Sequence, residues 1–419
     1  MRKAIIIGGG PAGLSAALRL QQVTDVVSTV YELRPEPTTL GGAVGILPNG
    51  LRLFHRLGVQ DDLLSRGSST STLTLRSLKG GIIAVQDIVG RVREQNGGIG
   101  YLRIKRSDLL DVLLKAAERA KIEIHFGKRL VKIEEDADEV KVTFSDGTTD
   151  TGDLVLGCDG IHSSVRKLHV DPGHAIEYTG FAGLNALVPI SALPPGAANE
   201  LGGINATLTT EGAFLTMSCS RDDDEAFWAF SREVPLPSTG DTRDGWELKR
   251  EVEIADFKND VLGRLRDARG DWGEIMRAMV QETSVVRFYP VFKLASGRTW
   301  YRGRCILLGD AAHAMSPHAG QGVSMATEDV FMIARLLGDP GRSLEDAFAT
   351  YDRIRRPRVD EITDQATRNS QVRKSSSEWG LMLKEAVIWA YFSVCSLVGY
   401  NFLASTERQL LYDVDEAKI

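Results

Sequence analysis

The chain has 419 residues, enough to bury a large core spread over roughly two or three domains. Its 43% hydrophobic and 25% charged content is ordinary for a soluble globular protein, and a net charge of −6 leaves no basic surplus to neutralise nucleic-acid phosphates. Cys158, Cys219, Cys305 and Cys395 stand singly and no histidine pair has ligand spacing, which argues against a metal site and for a reducing compartment.

Residues 4–7 are an apolar run that reads as a strand buried on both faces. It enters Gly8-Gly9-Gly10-Pro11-Ala12-Gly13 directly, and a helix follows with Leu14, Ala17 and Leu18 at helical spacing. A second strand over 26–31 ends in Glu32, and Arg34 opens a proline-bearing loop. This is a βαβ start with G-x-G-x-x-G at its turn. Gly8 allows the tight bend, Gly10 lets the backbone approach a pyrophosphate, and Gly13 lets helix and strand pack closely. The phosphates then lie on the unpaired N–H groups of the helix N-terminus. Glu32, about 20 residues beyond the glycines, is placed to accept from a ribose 2′-hydroxyl. An adenine dinucleotide is expected here. The apolar run after Arg2-Lys3 is too short for a secretory leader, so a cytoplasmic location is expected.

Residues 40–46 are glycine-rich, and Pro48 starts a helix that runs to 57. Strands are predicted over 72–77 and 82–88, then an amphipathic helix over 107–120 with Leu109, Leu110, Leu113, Leu114 and Ala117 on one face. A strand over 122–126 leads into a meander over 128–134, 139–144 and 148–151, with Asp146-Gly147 as a hairpin turn. A buried strand returns over 153–157. From 178 the pattern changes to antiparallel strands over 180–190, 206–210, 213–219 and 226–233. A polar loop over 237–244 and helices over 247–265 and 272–280 follow. A buried strand over 305–308 precedes helices over 322–337, 344–373 and 377–403. The last contains an apolar stretch, 386–403, of about 18 residues, the lower limit for a membrane span. Tyr391, Ser393, Ser396, Tyr400 and Asn401 interrupt it, so it is expected to cover the inserted sheet near the substrate entrance.

Two further motifs complete the pattern. Residues 152–166 are a strand, an Asp159-Gly160 turn and a helix start that carries Arg166. Residues 303–313 are a strand ending in Gly309-Asp310, and Pro317-His318-Ala319-Gly320-Gln321-Gly322-Val323 opens the next long helix. Each alone is turn chemistry. In this order after the βαβ unit, they resemble the class A flavoprotein monooxygenases, the group of p-hydroxybenzoate and salicylate hydroxylases. The resemblance covers about 1–166 and 303–337; the insertion matches only in its place and its strand-rich pattern.

The resemblance implies an α/β fold: a Rossmann-like, three-layer FAD-binding domain with an inserted antiparallel substrate sheet and C-terminal helices. The implied boundaries are 1–177 and 293–340 for the FAD domain, 178–292 for the substrate domain and 341–419 for the helical end. Noncovalent FAD would contact Gly8, Gly10, Pro11, Ala12, Gly13, Glu32, Arg34, Gly45, Arg106, Asp159, Asp310, Gly320, Gln321, Gly322 and Val323. Asp310 would accept from the ribityl chain or bridge to the pyrophosphate. For Asp159, holding the strand–helix corner is an alternative to direct contact. His313 reads as a packing and hydrogen-bonding residue, whereas His318 and Pro317 could face the substrate.

The implied reaction is hydride transfer from transiently bound NADPH or NADH, then O₂ activation as a flavin C4a-hydroperoxide that hydroxylates or epoxidises a small molecule. Some relatives in this family place an arginine on the first strand of the insertion to pair with an acidic substrate. Residues 183–188 here carry no charge, which points to a bulky, mostly neutral aromatic or natural-product substrate. A flavin reductase of the geranylgeranyl-reductase kind and a non-enzymatic flavin sensor share the same FAD motifs. A monomer or homodimer is expected, with no nucleic-acid or membrane partner.

Overall fold

The computed structural model describes residues 2–38, 42–173, 175–222, 224–235, 250–397 and 404–419. The predicted polar loop at 237–244 and the last part of the apolar stretch, 398–403, fall outside them.

Lys3–Ile7 is the central strand of a six-stranded sheet, flanked in parallel by Val27–Tyr31 and Leu154–Gly157. Glu123–His125 and Cys305–Leu307 extend the parallel order, and Tyr301–Arg302 closes one edge antiparallel. Helix Pro11–Val23 packs between Arg106–Arg119 and Gly322–Leu337, which makes one layer. The opposite layer is the antiparallel meander Leu130–Glu135, Val140–Phe144 and Thr149–Gly152. Tyr31 joins sheet to meander, its ring stacked 4.5 Å from Phe144 and its hydroxyl donating to Asp150 at 2.8 Å. The three layers bury one core, in which Ile5, Leu14, Leu156, Ile306 and Phe331 are fully enclosed.

The second sheet has seven strands in the order Arg287–Lys293, Glu177–Pro189, Glu225–Glu233, Gly212–Ser218, Ile204–Thr209, Thr72–Arg76 and Ile82–Asp87. All neighbours are antiparallel except Ile204–Thr209 and Thr72–Arg76, which run parallel. The hairpin at 72–87, read from sequence as part of 1–177, therefore belongs to this sheet. Helices Arg250–Arg264 and Gly270–Glu282 cover one face, and Trp228, Phe214 and Met276 fill the space between. Trp228 and Trp272 keep their indole N–H groups paired there, donating to Thr283 at 2.8 Å and Thr207 at 2.9 Å.

The glycine-rich stretch after 40 is a strand rather than a loop. Ala43–Ile46 pairs antiparallel with Leu102–Lys105 and sets Gly45 opposite Arg103. Glycine is required at 45 because a Cβ there would lie 2.2 Å from the Tyr101 hydroxyl.

Helix Glu378–Leu397 lies along the edge hairpin Ile82–Asp87 and buries Leu381 and Cys395. Ser77 donates to Glu385 at 2.8 Å and fixes the contact. The sequence reading of a covered helix holds for that face only. Trp379, Leu383, Trp389 and Leu397 are open on the other side. No helix among the described residues is long and apolar enough to cross a membrane.

Candidate active site

The glycine turn divides its work. At Gly8, with φ +111°, a Cβ would stand 2.4 Å from the Cys158 carbonyl oxygen; at Gly13 it would stand 1.9 Å from the Gly8 carbonyl oxygen. Those two glycines are demanded by the chain itself. Gly10 is different: its backbone is extended, with φ −78°, and a Cβ would find no protein atom within 4 Å. It faces an open cradle at the N-terminus of Pro11–Val23, where unpaired N–H groups suit a pyrophosphate. Ala12 lies against Gly309, so the cradle continues to the end of the strand Cys305–Leu307.

Glu32 sits at the end of Val27–Tyr31. One carboxylate oxygen accepts from the Gly9 N–H at 2.7 Å and the other from the Arg34 N–H at 2.9 Å. Each oxygen keeps a lone pair for a ribose hydroxyl. The Arg34 guanidinium reaches Thr38, donating to its hydroxyl at 2.8 Å. Asp159 caps the turn after its strand by accepting from the Ser164 and Val165 N–H groups at 2.5 and 3.2 Å, which is the corner-holding role. Arg166 is buried and donates to the backbone carbonyls of Ile161 and Ala311, the latter at 2.8 Å. It braces the Asp159 turn against the Asp310 segment.

Asp310 opens the short helix Asp310–His313, and its side chain is accessible within a crevice walled by protein. Burial pushes its carboxyl pKa up, while His313 and Arg106 pull it down. Arg106 is exposed at the start of Arg106–Arg119, and Tyr289 lies on the edge strand Arg287–Lys293, where burial and then Asp310 raise its phenol pKa and Arg106 lowers it. About half of the Tyr289 surface remains open to solvent. A Cβ added at Gly42 would lie 3.2 Å from the Phe227 ring and 3.3 Å from Asn185 Oδ1, both of the second sheet, so the two parts approach closely here. The cleft therefore lies between the two sheets, at the mouth of the glycine cradle.

Its floor is the turn Pro317–Ala319 and the N-terminus of Gly322–Leu337. Gly320 has φ +64°, and neither it nor Gly322 would meet protein atoms with an added Cβ, so both leave room for a planar ligand. Gln321 is buried, Val323 is partly covered and Pro317 is exposed. His318 packs edge-on to Phe181 with centroids 5.8 Å apart, and its Nδ1 is 2.8 Å from the Ser316 hydroxyl. Burial, then the charge of Arg373, lowers its pKa to about 3. A group that weakly basic is a neutral hydrogen-bonding partner near neutral pH, not a proton acceptor.

This shift has a stability consequence. The unfolded chain protonates His318 near 6.5, the folded chain only near 3. Between those values the unfolded state holds more protons, so stability falls as pH drops through the window. His318→Asn is expected to flatten that acid limb in melting temperature against pH. An unchanged slope would refute the assignment.

Sequence reasoning missed a buried ion network behind the floor. Glu328, Asp329 and Arg355 are wholly inaccessible and Arg358 nearly so. Arg355 donates to Glu328 at 2.6 Å and to Asp329 at 2.8 Å, and Arg358 donates to Glu328 at 2.9 Å. Burial would raise both carboxyls, but the arginines on Glu328, and His313 with Arg355 on Asp329, outweigh it and hold both below their usual range. Asp329 accepts from the Gly309 N–H at 2.8 Å and lies 2.6 Å from His313 Nε2. Glu328 accepts from Asn49 at 2.7 Å, and Asn49 also donates to Gln321 at 3.2 Å. One network thus fixes both Gly309-Asp310 and Gln321. The available signal was an acidic pair inside an apolar helix with two arginines spaced i, i+3 on the next.

Among the described residues, Glu135, His169 and Cys305 bring ligand-type atoms within 4.8 Å of one another. They lie at the other end of the Cys305–Leu307 strand from Gly309. Glu135 accepts from the Arg304 N–H at 2.8 Å and holds the turn there.

The FAD binding domain family matches residues 1–266 and 280–366. A 6-hydroxynicotinate 3-monooxygenase of Pseudomonas fluorescens is 29% identical over 85% of this chain and 88% of its own. An FAD-dependent urate hydroxylase of Klebsiella pneumoniae is 30% identical over 86% and 87%. The crystal structure of Klebsiella pneumoniae HpxO complexed with FAD and uric acid superposes with a TM-score of 0.78 at 24% identity, covering 95% of each chain.

Proposed function

Because this chain belongs to the FAD binding domain family and is a flavoprotein monooxygenase, we propose that it oxygenates a ring compound held in the cleft between its two sheets. Bound FAD supplies hydride acceptance from NAD(P)H and the activation of O₂, so one oxygen atom enters the substrate and the other leaves as water. The residues present fit that group. The open space at Gly10 would take the pyrophosphate, and Glu32 would hold the ribose. Asp310 and Arg106 would hold the linking chain, and the N–H groups at Gly320, Gln321 and Gly322 would hold the ring edge. The helix dipole at Gly322–Leu337 favours negative charge beside those N–H groups, and no acidic side chain in the first turn opposes it.

The relatives act on 6-hydroxynicotinate and urate, both electron-rich rings. We assign this chain an electron-rich ring substrate too, but one bulkier and more nearly neutral than those two, because residues 183–188 of the facing strand carry no charge. It would lie between Pro317-His318 and the wall of Phe181, Asn185 and Tyr289. Enclosure by that wall keeps water out, which limits wasteful release of H₂O₂. A cytoplasmic monomer or homodimer completes the proposal.

The observation that carries this reading is the open cradle at Gly10, where an added Cβ would meet no protein atom within 4 Å. The test is oxygen uptake by holoprotein with NADPH or NADH across a panel of ring compounds, scoring oxygenated product against H₂O₂. A true substrate is expected to raise NAD(P)H oxidation on the order of tenfold or more, with product formed. Anaerobic turnover that reduces a double bond would indicate the reductase instead, and no turnover with any compound would indicate a sensor.

A further inference from the structure

We propose that the outer face of helix Glu378–Leu397 is the interface with a second copy of this chain, the two helices packing antiparallel about a twofold axis. The helix is apolar on both sides. Its inner side, with Leu381 and Cys395, closes on the edge hairpin. Glu378, Lys384 and Glu385 are its only charged residues. The last two turn back to the chain itself: Lys384 donates to the Lys374 carbonyl at 2.9 Å, and Glu385 accepts from Ser77 at 2.8 Å. A helix apolar all round is ordinarily buried all round. Here Trp379 is 80% and Leu397 86% exposed, and Leu383, Val387, Trp389 and Val394 are each more than half open. Counting about 150–250 Å² for a whole aromatic side chain, these six leave on the order of 800 Å² uncovered. The largest apolar patch on a typical monomer is about 300–600 Å². A stable interface of standard size takes about 800 Å² from each partner, which this face supplies.

The spacing on this face selects the occupant. Trp379, Leu383, Ala386, Ala390, Ser393 and Leu397 follow one another at intervals of four, three, four, three and four residues. That is the 3.5-residue repeat of a seam between two helices. The pattern also reads the same from either end. Large side chains stand at both ends and two alanines in the middle. An antiparallel partner therefore sets Trp379 against Leu397, Leu383 beside Val394, and Ala386 against Ala390, where the backbones can approach. A twofold contact demands such self-matching, since each residue that meets another must be met by it in return. Antiparallel axes also bring opposite ends of the helix dipoles together. A lipid surface suits the face less well. Helices that lie in a membrane interface carry Lys and Arg on their polar side. Lys384 is the only basic residue of this helix, and the whole chain has a net charge of −6.

The test is sedimentation velocity of the full-length, FAD-loaded protein from nanomolar to tens of micromolar. A reversible dimer of twice the chain mass is expected. Leu383→Glu and Val394→Lys should each raise its dissociation constant at least about tenfold, because each buries an unpaired charge at the contact. Trp379→Ser, which adds no charge, should weaken association in the same direction. An equimolar mixture of the two charged variants, and the double variant, should associate again. In the antiparallel arrangement the acid of one copy meets the base of the other, whereas parallel helices would set like against like in the double variant. These positions are open in the single chain, so the dissociated variants should keep the parent's flavin content. A monomer at every concentration overturns the proposal. So does a dimer whose dissociation none of the variants moves, since it then uses another surface, and so does failure of both mixture and double variant to recover. A monomer that sediments with phosphatidylcholine–phosphatidylserine vesicles would make a lipid surface the occupant, and the proposal falls.

Discussion

Gly10→Val is expected to yield folded, colourless protein. A Cβ at this position meets no atom of the chain within 4 Å and imposes no strain on an extended backbone, so the fold should tolerate a β-branched side chain. The same side chain fills the cradle that the pyrophosphate needs. Hydrogen bonds to charged groups are worth about 1.5–3 kcal/mol each. Displacing the phosphates from even two N–H groups should therefore weaken flavin binding roughly a hundredfold or more. Gly13→Ala is the opposite case, because its Cβ would overlap the Gly8 carbonyl oxygen at 1.9 Å. That variant should lose stability before it loses flavin. Absorbance at the flavin bands after gel filtration, with circular dichroism, separates the two. A Gly10→Val protein that stays yellow would remove the turn from the flavin site.

Arg355→Leu is expected to be the most damaging single change behind the site. It leaves buried Glu328 with Arg358 and buried Asp329 with only the His313 imidazole. Breaking a buried ion pair by removing one partner typically costs about 3–5 kcal/mol. Asp329 would also be less firmly held against the Gly309 N–H, so Asp310 and Gln321 should lose their fixed places along with stability. Arg355→Lys keeps the charge but not the fork that reaches both acids, and should fall between. Urea unfolding of the holoprotein measures the loss. A change under about 1 kcal/mol would mean that the network is dispensable and the helices hold by apolar packing alone.

The parts of the site that could be read from sequence were those where backbone chemistry dictates residue type. A turn that must admit phosphate needs glycine, and a strand mouth that serves ligand tolerates an aspartate; both leave a spacing that survives without any tertiary contact. The ion network is harder because Glu328 and Asp329 look like the solvated stripe of a helix until the next helix covers them. The strand Ala43–Ile46 is not legible in the sequence because glycines mask its alternation, and its partner lies far along the chain at Leu102–Lys105. The hairpin at 72–87 is legible as strands, but its pairing with Ile204–Thr209 of the second sheet is not. Alternation says that a strand has a buried face, not which neighbour will pair with it.

That hairpin changes how the molecule can be taken apart. Thr72–Arg76 is joined to Ile204–Thr209 by parallel pairing, so the second sheet is stitched from two distant lengths of chain. Exchanging only 177–293 with another protein would cut along this seam. The foreign sheet would end in an unpaired edge, and the host hairpin would keep open hydrogen-bonding groups, two surfaces prone to stick to other chains. Helix Glu378–Leu397, which rests on the hairpin, would lose a partner matched to it. The smallest unit that recombination could move intact is therefore discontinuous: the hairpin, the sheet and the helix must travel together.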